Sequence, residues 1–140
     1  MREILFRGKR ADTGEWIYGD LRQDADLESA YIGGWDYFIA DYALQREPFE
    51  YPVSPETVSQ FAGLYDKNGV MIFENDIVII GGNKSFPTVV EFLSGSWQCV
   101  RKYTDKGREN EYSYLHRLEY DNPNQYEVIG NRFDNPDLLN

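Results

Sequence analysis

Apolar and polar residues alternate along most of this chain with a period of two, the spacing that sends successive side chains to opposite faces of a strand. The segment from Arg2 to Arg7 and the run around Trp16, Ile17 and Tyr18 flank Asp12-Thr13-Gly14, so the chain is expected to open with a β-hairpin. From Ala30 to Leu44 it is rich in Tyr, Ile, Trp and Phe and is interrupted by Gly33-Gly34. Two strands are expected there. Ser54-Pro55-Glu56-Thr57 places a capping residue before a proline suited to the first helical position, which predicts a turn or one short helical turn capped by Ser54.

The second half repeats the pattern more sharply. Thr57–Tyr65 reads as a strand, and Asp66-Lys67-Asn68-Gly69 as a tight turn in which Asn68 and Gly69 tolerate positive φ. Val70–Phe73 begins another strand, Glu74-Asn75-Asp76 breaks it, and Ile77–Ile80 is a β-branched run fit for a buried strand. Thr88–Leu93, the turn Ser94-Gly95 and Ser96–Tyr103 make a hairpin, followed by a polar loop at 104–111. Residues 112–120 suit either a short helix or a strand. Tyr126–Gly130 is the last strand, and a tail opening at Asn135-Pro136-Asp137 is expected to dock by Leu138 and Leu139. Short strands with turns about every 8–12 residues predict a mainly β fold, a small barrel or sandwich.

Composition narrows the function classes. Of 140 residues, 41% are hydrophobic and 22 are aromatic, enough for a core and more aromatic mass than so small a core can hide. No apolar run is long enough for a membrane span, the N-terminus does not read as a secretory signal, and the single cysteine, Cys99, can form no disulfide within one chain. The expectation is a cytoplasmic protein with no membrane partner. The net charge of −10 disfavours general affinity for phosphate backbones. That charge is concentrated: residues 20–56 hold nine carboxylates against two guanidinium groups, together with seven aromatics. Asp24, Asp26, Glu28, Tyr31, Trp35 and Tyr37 are the candidate surface for a protein partner of basic character. A solvated acidic face around core aromatics is the alternative, in which Trp35 is part of the core.

The stretches REILFRGKRADTGEWIYGDL, PETVSQFAGLYDKNGVMIFENDIV and YEVIGNRFDNPDLL resemble, in order, three blocks of the YopX family, whose members are encoded by phages and prophages. The resemblance spans nearly the whole chain. It implies a mainly β protein with an N-terminal β-hairpin and sheet region, 1–56, and an SH3-like small β-barrel region with a C-terminal tail, 57–140. It implies no activity, since the family's function is not established. Where the family pattern has Glu-Gly-Asp, this chain has Glu74-Asn75-Asp76. Asn is the residue next best able to replace a glycine at positive φ, so Asn75 and Asp76, like Asn68 and Gly69, are read as structural turn residues, with Asp76 accepting backbone hydrogen bonds.

Chemistry-bearing constellations are sparse. One histidine, His116, and one cysteine cannot build a zinc cage, and Cys99 sits in an apolar strand, where it reads as a small buried hydrophobe. Gly81-Gly82-Asn83-Lys84-Ser85 lacks the leading glycine of a phosphate-binding loop. No catalytic residue, metal or cofactor is expected. The basic residues Arg7, Lys9 and Arg10, with Arg101, Lys102, Lys106 and Arg108, would form a local patch if the two clusters lie together. The leading reading is a non-enzymatic phage- or prophage-type accessory protein acting by protein–protein contact, with a homo-oligomer open to it. A small β-barrel binding nucleic acid through the basic patch comes second, and a metal-assisted phosphodiesterase third.

Overall fold

A computed structural model describes residues 2–26 and 28–140. The described chain is mainly β, with eleven strands, three single 3-10 turns and two antiparallel sheets, neither of which closes. It divides into two compact units, Met1–Gln60 and Phe61–Asn140.

In the first unit β1 (Phe6–Lys9) pairs with β2 (Trp16–Gln23), the opening hairpin the alternation predicts. Then β2 pairs with β3 (Ala30–Ala40), and β3 with β4 (Ala43–Val53). The two strands expected between Ala30 and Leu44 are one. Gly33-Gly34 does not break it, and the reversal comes later, at Asp41 and Tyr42, both at positive φ (52° and 61°). Glycine is there for close approach. A Cβ on Gly19 would fall against the carbonyl oxygen of Gly33, and one on Gly33 against that of Phe49, so three neighbouring backbones crowd together. Ala30, Ile32 and Val53 form the core, with Phe6, Ile17, Leu21 and Val58 packed on it. The 3-10 turn Pro55–Thr57 forms, but Ser54 does not cap it with its side chain. Instead the Thr57 hydroxyl donates to the Ser54 carbonyl (2.6 Å) and accepts from the Lys9 N–H (2.9 Å), which ties the turn to β1.

β5 (Ser59–Tyr65) crosses the division. Ser59 and Gln60 pair with β1, and the remainder pairs with β6 (Met71–Phe73). The second unit continues with β7 (Asp76–Ile80), β8 (Thr88–Leu93), β9 (Ser96–Lys102), β10 (Tyr112–Arg117) and β11 (Tyr126–Asn131), in the order β10-β9-β8-β7-β11. The ambiguous stretch after 111 is thus a strand. β10 and β11 are free edges, so the strand pairing describes an open sheet rather than a closed barrel. Its core joins Leu64 and Ile72 from the β5–β6 hairpin to Val78, Val90, Cys99, Leu118 and Tyr126.

Buried polar groups pin this unit. The Asp66 carboxylate accepts from the N–H groups of Asn68 and Val70 (both 2.8 Å) within its turn, where Gly69 stands at φ 78°, and from Val128 on β11 (2.9 Å). Asn75 stands at φ 71°; its N–H donates to Val90 and its carbonyl accepts from Arg132. The buried Asp76 carboxylate accepts from the Phe73 N–H (2.8 Å). The Tyr126 hydroxyl, on a fully buried ring, accepts from the Glu119 N–H (2.8 Å) and meets His116 Nε2 (2.9 Å).

Two predictions follow from this packing. Replacing Asp66→Ala strands three backbone donors at once and is expected to cost about 3 kcal/mol, read as a fall of many degrees in the melting temperature; Asp66→Asn, which keeps an acceptor, costs less. Burial pushes the Cys99 thiol up from 9.0 to about 11 and the Tyr126 phenol up to about 12. The folded chain therefore holds both protons more tightly than the unfolded chain, so this stability is complete below pH 9 and is lost as pH rises through 11 to 12. Melts across that window will show the loss, and Cys99→Ala will flatten its lower part.

Candidate functional site

The alternation within β3 decides where the aromatic residues of the acidic segment go. Ala30 and Ile32 point into the core, so Tyr31, Trp35, Tyr37 and Ile39 point to the opposite face. Across the strand pair Tyr37 faces Arg46 and Ile39 faces Leu44. β2 accompanies β3 only as far as the pair Asp20 with Gly33. From Gly34 to Pro48 the two strands continue alone as a β-ribbon arm. Its outer face carries Trp35, Tyr37, Ile39 and Leu44, which are 46%, 63%, 71% and 69% exposed. Trp35 is therefore not a core residue. Phe38 lies exposed on the other face, and Tyr42 at the tip is fully exposed although its φ is that of a left-handed residue. An aromatic side chain in that conformation with no packing in return is a costly way to end a hairpin that Asn-Gly would close without strain.

At the base of the arm, on the same outer face, a groove of about 570 Å³ is lined by Asp20, Arg22, Gly33, Trp35, Pro48 and Glu50. Arg22 organises it. Its guanidinium bonds Glu50 (2.9 Å) and Asp24 (2.9 Å) and lies over the Tyr31 ring, 4.0 Å from the centroid. The hydrogen bond from Arg22 holds the Glu50 carboxyl below its ordinary range. Farther out, Arg46 stacks on Trp35 at 4.1 Å. The structure thus brings Asp24, Tyr31, Trp35 and Tyr37 to one face, with Asp24 already paired. Asp26 and Glu28 lie apart in the exposed β2–β3 loop, where the Asp26 carboxylate accepts from the Glu28 N–H (2.9 Å). Sequence reading stopped at Leu44 and so missed most of β4, with Arg46 and Pro48; the signal that could have found them is the register that a turn at 41–42 imposes.

The basic residues fall in both units. In the first, Arg7 is buried with its guanidinium 4.7 Å from the centroid of Trp16, Lys9 lies over the same ring at 5.5 Å, and Arg10 bonds Asp12 (2.7 Å) while covering Tyr51. In the second, Arg101 covers Phe86, Lys102 covers Tyr112, and Arg108 covers Tyr103 at 3.6 Å while bonding Glu111 (2.9 Å). Lys106 stands exposed in the 104–111 loop. A cavity of about 250 Å³ is lined by Arg101, Lys102, Tyr103, Arg132, Glu91 and Leu139, with Glu91 accepting from the Tyr112 hydroxyl (2.8 Å). Among the described residues no three His, Cys, Asp or Glu side chains converge as a metal cluster, and no helix is long and apolar enough to cross a membrane.

A model of the family described as YopX protein matches residues 5–140. Protein EF1440 from Enterococcus faecalis, known from a crystal structure, is similar in fold over 100% of both chains, with a TM-score of 0.56 and 21% identity. Comparison with curated proteins gave no match.

The crowded glycines at the root of the arm give a direct test. Gly33→Ala drives a methyl group into backbone atoms that cannot give way, whereas a Cβ on Gly34 meets only the edge of the Phe49 ring at 3.3 Å. Thermal melts should show Gly33→Ala losing roughly 1–3 kcal/mol and Gly34→Ala clearly less.

Proposed function

This chain belongs to the YopX family, and on that premise we propose that it is a non-enzymatic accessory protein of phage or prophage type, working in the cytoplasm through protein–protein contact. The observation that carries this reading is the exposed outer face of the arm: four large apolar side chains in one strand register, standing clear of any core. Monomeric surfaces rarely present such a contiguous patch, and Trp and Tyr are the side chains that most often anchor interfaces. The rim supplies direction. Asp20 and Glu50 line the groove, and residues 20–56 carry a net charge of −7, which favours a basic partner. Within this proposal the second unit is SH3-like, with the β5–β6 hairpin laid over the five-stranded sheet around Ile72, Val78 and Tyr126.

The second reading is nucleic-acid binding by the second unit. What favours it is the cavity beside Arg101, Lys102 and Arg132, next to Tyr103. A metal-assisted phosphodiesterase has no converging set of carboxylates among the described residues to argue from.

The experiment is affinity capture from phage-infected cells with the wild-type chain and with Trp35→Ala combined with Leu44→Ala. Both side chains are exposed, so the variant is expected to melt within a few degrees of the wild type. A protein retained by the wild type and lost by the variant supports the reading, with dissociation faster by roughly thirty-fold for an anchor worth about 2 kcal/mol. Raising salt should slow its association several-fold. Equal retention by the two chains, or retention of nucleic acid alone through Arg101 and Lys102, would overturn it.

A further inference from the structure

The two long edges of the arm are not alike. On β4, Pro48 and Pro52 have no N–H, and both occupy positions whose backbone faces away from β3: the Pro52 carbonyl turns outward to accept from the Ala11 N–H (3.1 Å). Strand alternation then sets the rest of the register. Leu44, Arg46 and Glu50 share that outward set on β4. On β3 the partners of the prolines, Tyr31 and Trp35, also direct their backbone groups away from the pair, as do Gly33, Tyr37 and Ile39. For Tyr31 and Gly33 that side is taken by β2. For Trp35, Tyr37 and Ile39 no described strand pairs there. The β4 edge is interrupted by proline, the usual defence of an exposed strand, whereas the β3 edge from Trp35 to Ile39 has neither proline nor glycine and only one charge, Asp36.

We infer that this β3 edge pairs with the same edge of a second copy, antiparallel about a two-fold axis through Tyr37. The sequence of the edge is complementary to itself in that register. Tyr37 meets Tyr37 of the other copy as a hydrogen-bonded pair, Trp35 meets Ile39, and Asp36 meets Phe38 rather than a second carboxylate. Aromatic against β-branched is a favourable cross-strand pair, and the one charge that could forbid self-pairing is offset from its copy. The product is a four-stranded ribbon, β4-β3-β3-β4, with its open edges at the proline-bearing strands. It also doubles the outer apolar face, presenting two sets of Trp35, Tyr37, Ile39 and Leu44 side by side. The inference goes beyond the protein-contact reading and stands or falls without a partner present.

The test is the oligomeric state of the purified full chain by sedimentation equilibrium. Each copy carries a net −10, so salt should tighten the dimer several-fold, opposite in sign to its effect on a basic partner. Tyr37→Pro removes an N–H that serves only the free edge, leaving the β3–β4 ladder intact, and is expected to weaken the dimer at least ten-fold with little change in the melting temperature. Should that variant fail to fold, Tyr37→Cys replaces it. The two sulfurs fall within reach across the axis, Cys99 is buried, and mild oxidation should give a covalent dimer. A wild-type chain monomeric up to about 1 mM, a dimer untouched by a folded Tyr37→Pro, or a folded Tyr37→Cys that does not cross-link would each overturn the inference. So would a monomer whose β3 edge is found paired with a different protein.

Discussion

A strand cannot satisfy its own backbone, and nearly everything in this protein follows from that constraint. Helices close their hydrogen bonds internally; strands need a neighbour, a side chain or water on each side. A chain with eleven described strands therefore has to settle, at every edge, what stands in for the missing neighbour. Within the second unit, side chains do so. Asp66 takes three backbone donors with one carboxylate, Asp76 takes one at the break before β7, and the Tyr126 hydroxyl takes another beside β10. Each is buried, so each removes a cost that water would otherwise have to meet.

Within the first unit the same constraint meets different chemistry. Gly19 and Gly33 let three backbones approach until no Cβ would fit, which lets the sheet continue into the arm without a break. Beyond Gly33 the third strand leaves, and the side chains that had covered a core now stand in solvent on both faces. Proline answers the constraint on one edge by deleting donors, and on the other edge it goes unanswered. An arm with a defended edge, an open edge and an apolar face is coherent as a contact element. As a monomer's ornament it would expose apolar surface with nothing to offset it.

The electrostatics sit around this element rather than in it. Arg22 draws Asp24 and Glu50 together over Tyr31 at the base, so two of the nine carboxylates of residues 20–56 are already engaged locally. Likewise most of the cations proposed as a basic patch lie over aromatic rings, and Arg10 and Arg108 are also paired with carboxylates. Charge counted along a sequence overstates what the surface presents, because side chains of both signs find each other once the strands are in register.

The sequence by itself determined the local geometry: the mainly β character, the opening hairpin, the turns at Asn68-Gly69 and Ser94-Gly95, the buried run Ile77–Ile80 and the family. Period two and turn chemistry are properties of a few adjacent residues, and no distant partner can alter them. Tertiary structure decided what period two leaves undetermined. Gly33-Gly34 reads locally as a break, yet it is where strands crowd, because only the approach of β2 and β4 makes the missing side chains useful. β4 carries two prolines that locally argue against a strand, and it pairs along its whole length because both fall on the outward side of the ladder. Residues 112–117 suit helix or strand until β9 offers an edge to pair with. Trp35 could line a core or a surface, and the choice is made by where the pairing of β2 with β3 stops, at Asp20 and Gly33, which the residues around Trp35 do not reveal by themselves. Alternation gives each strand two faces; only its neighbours decide which of them meets water.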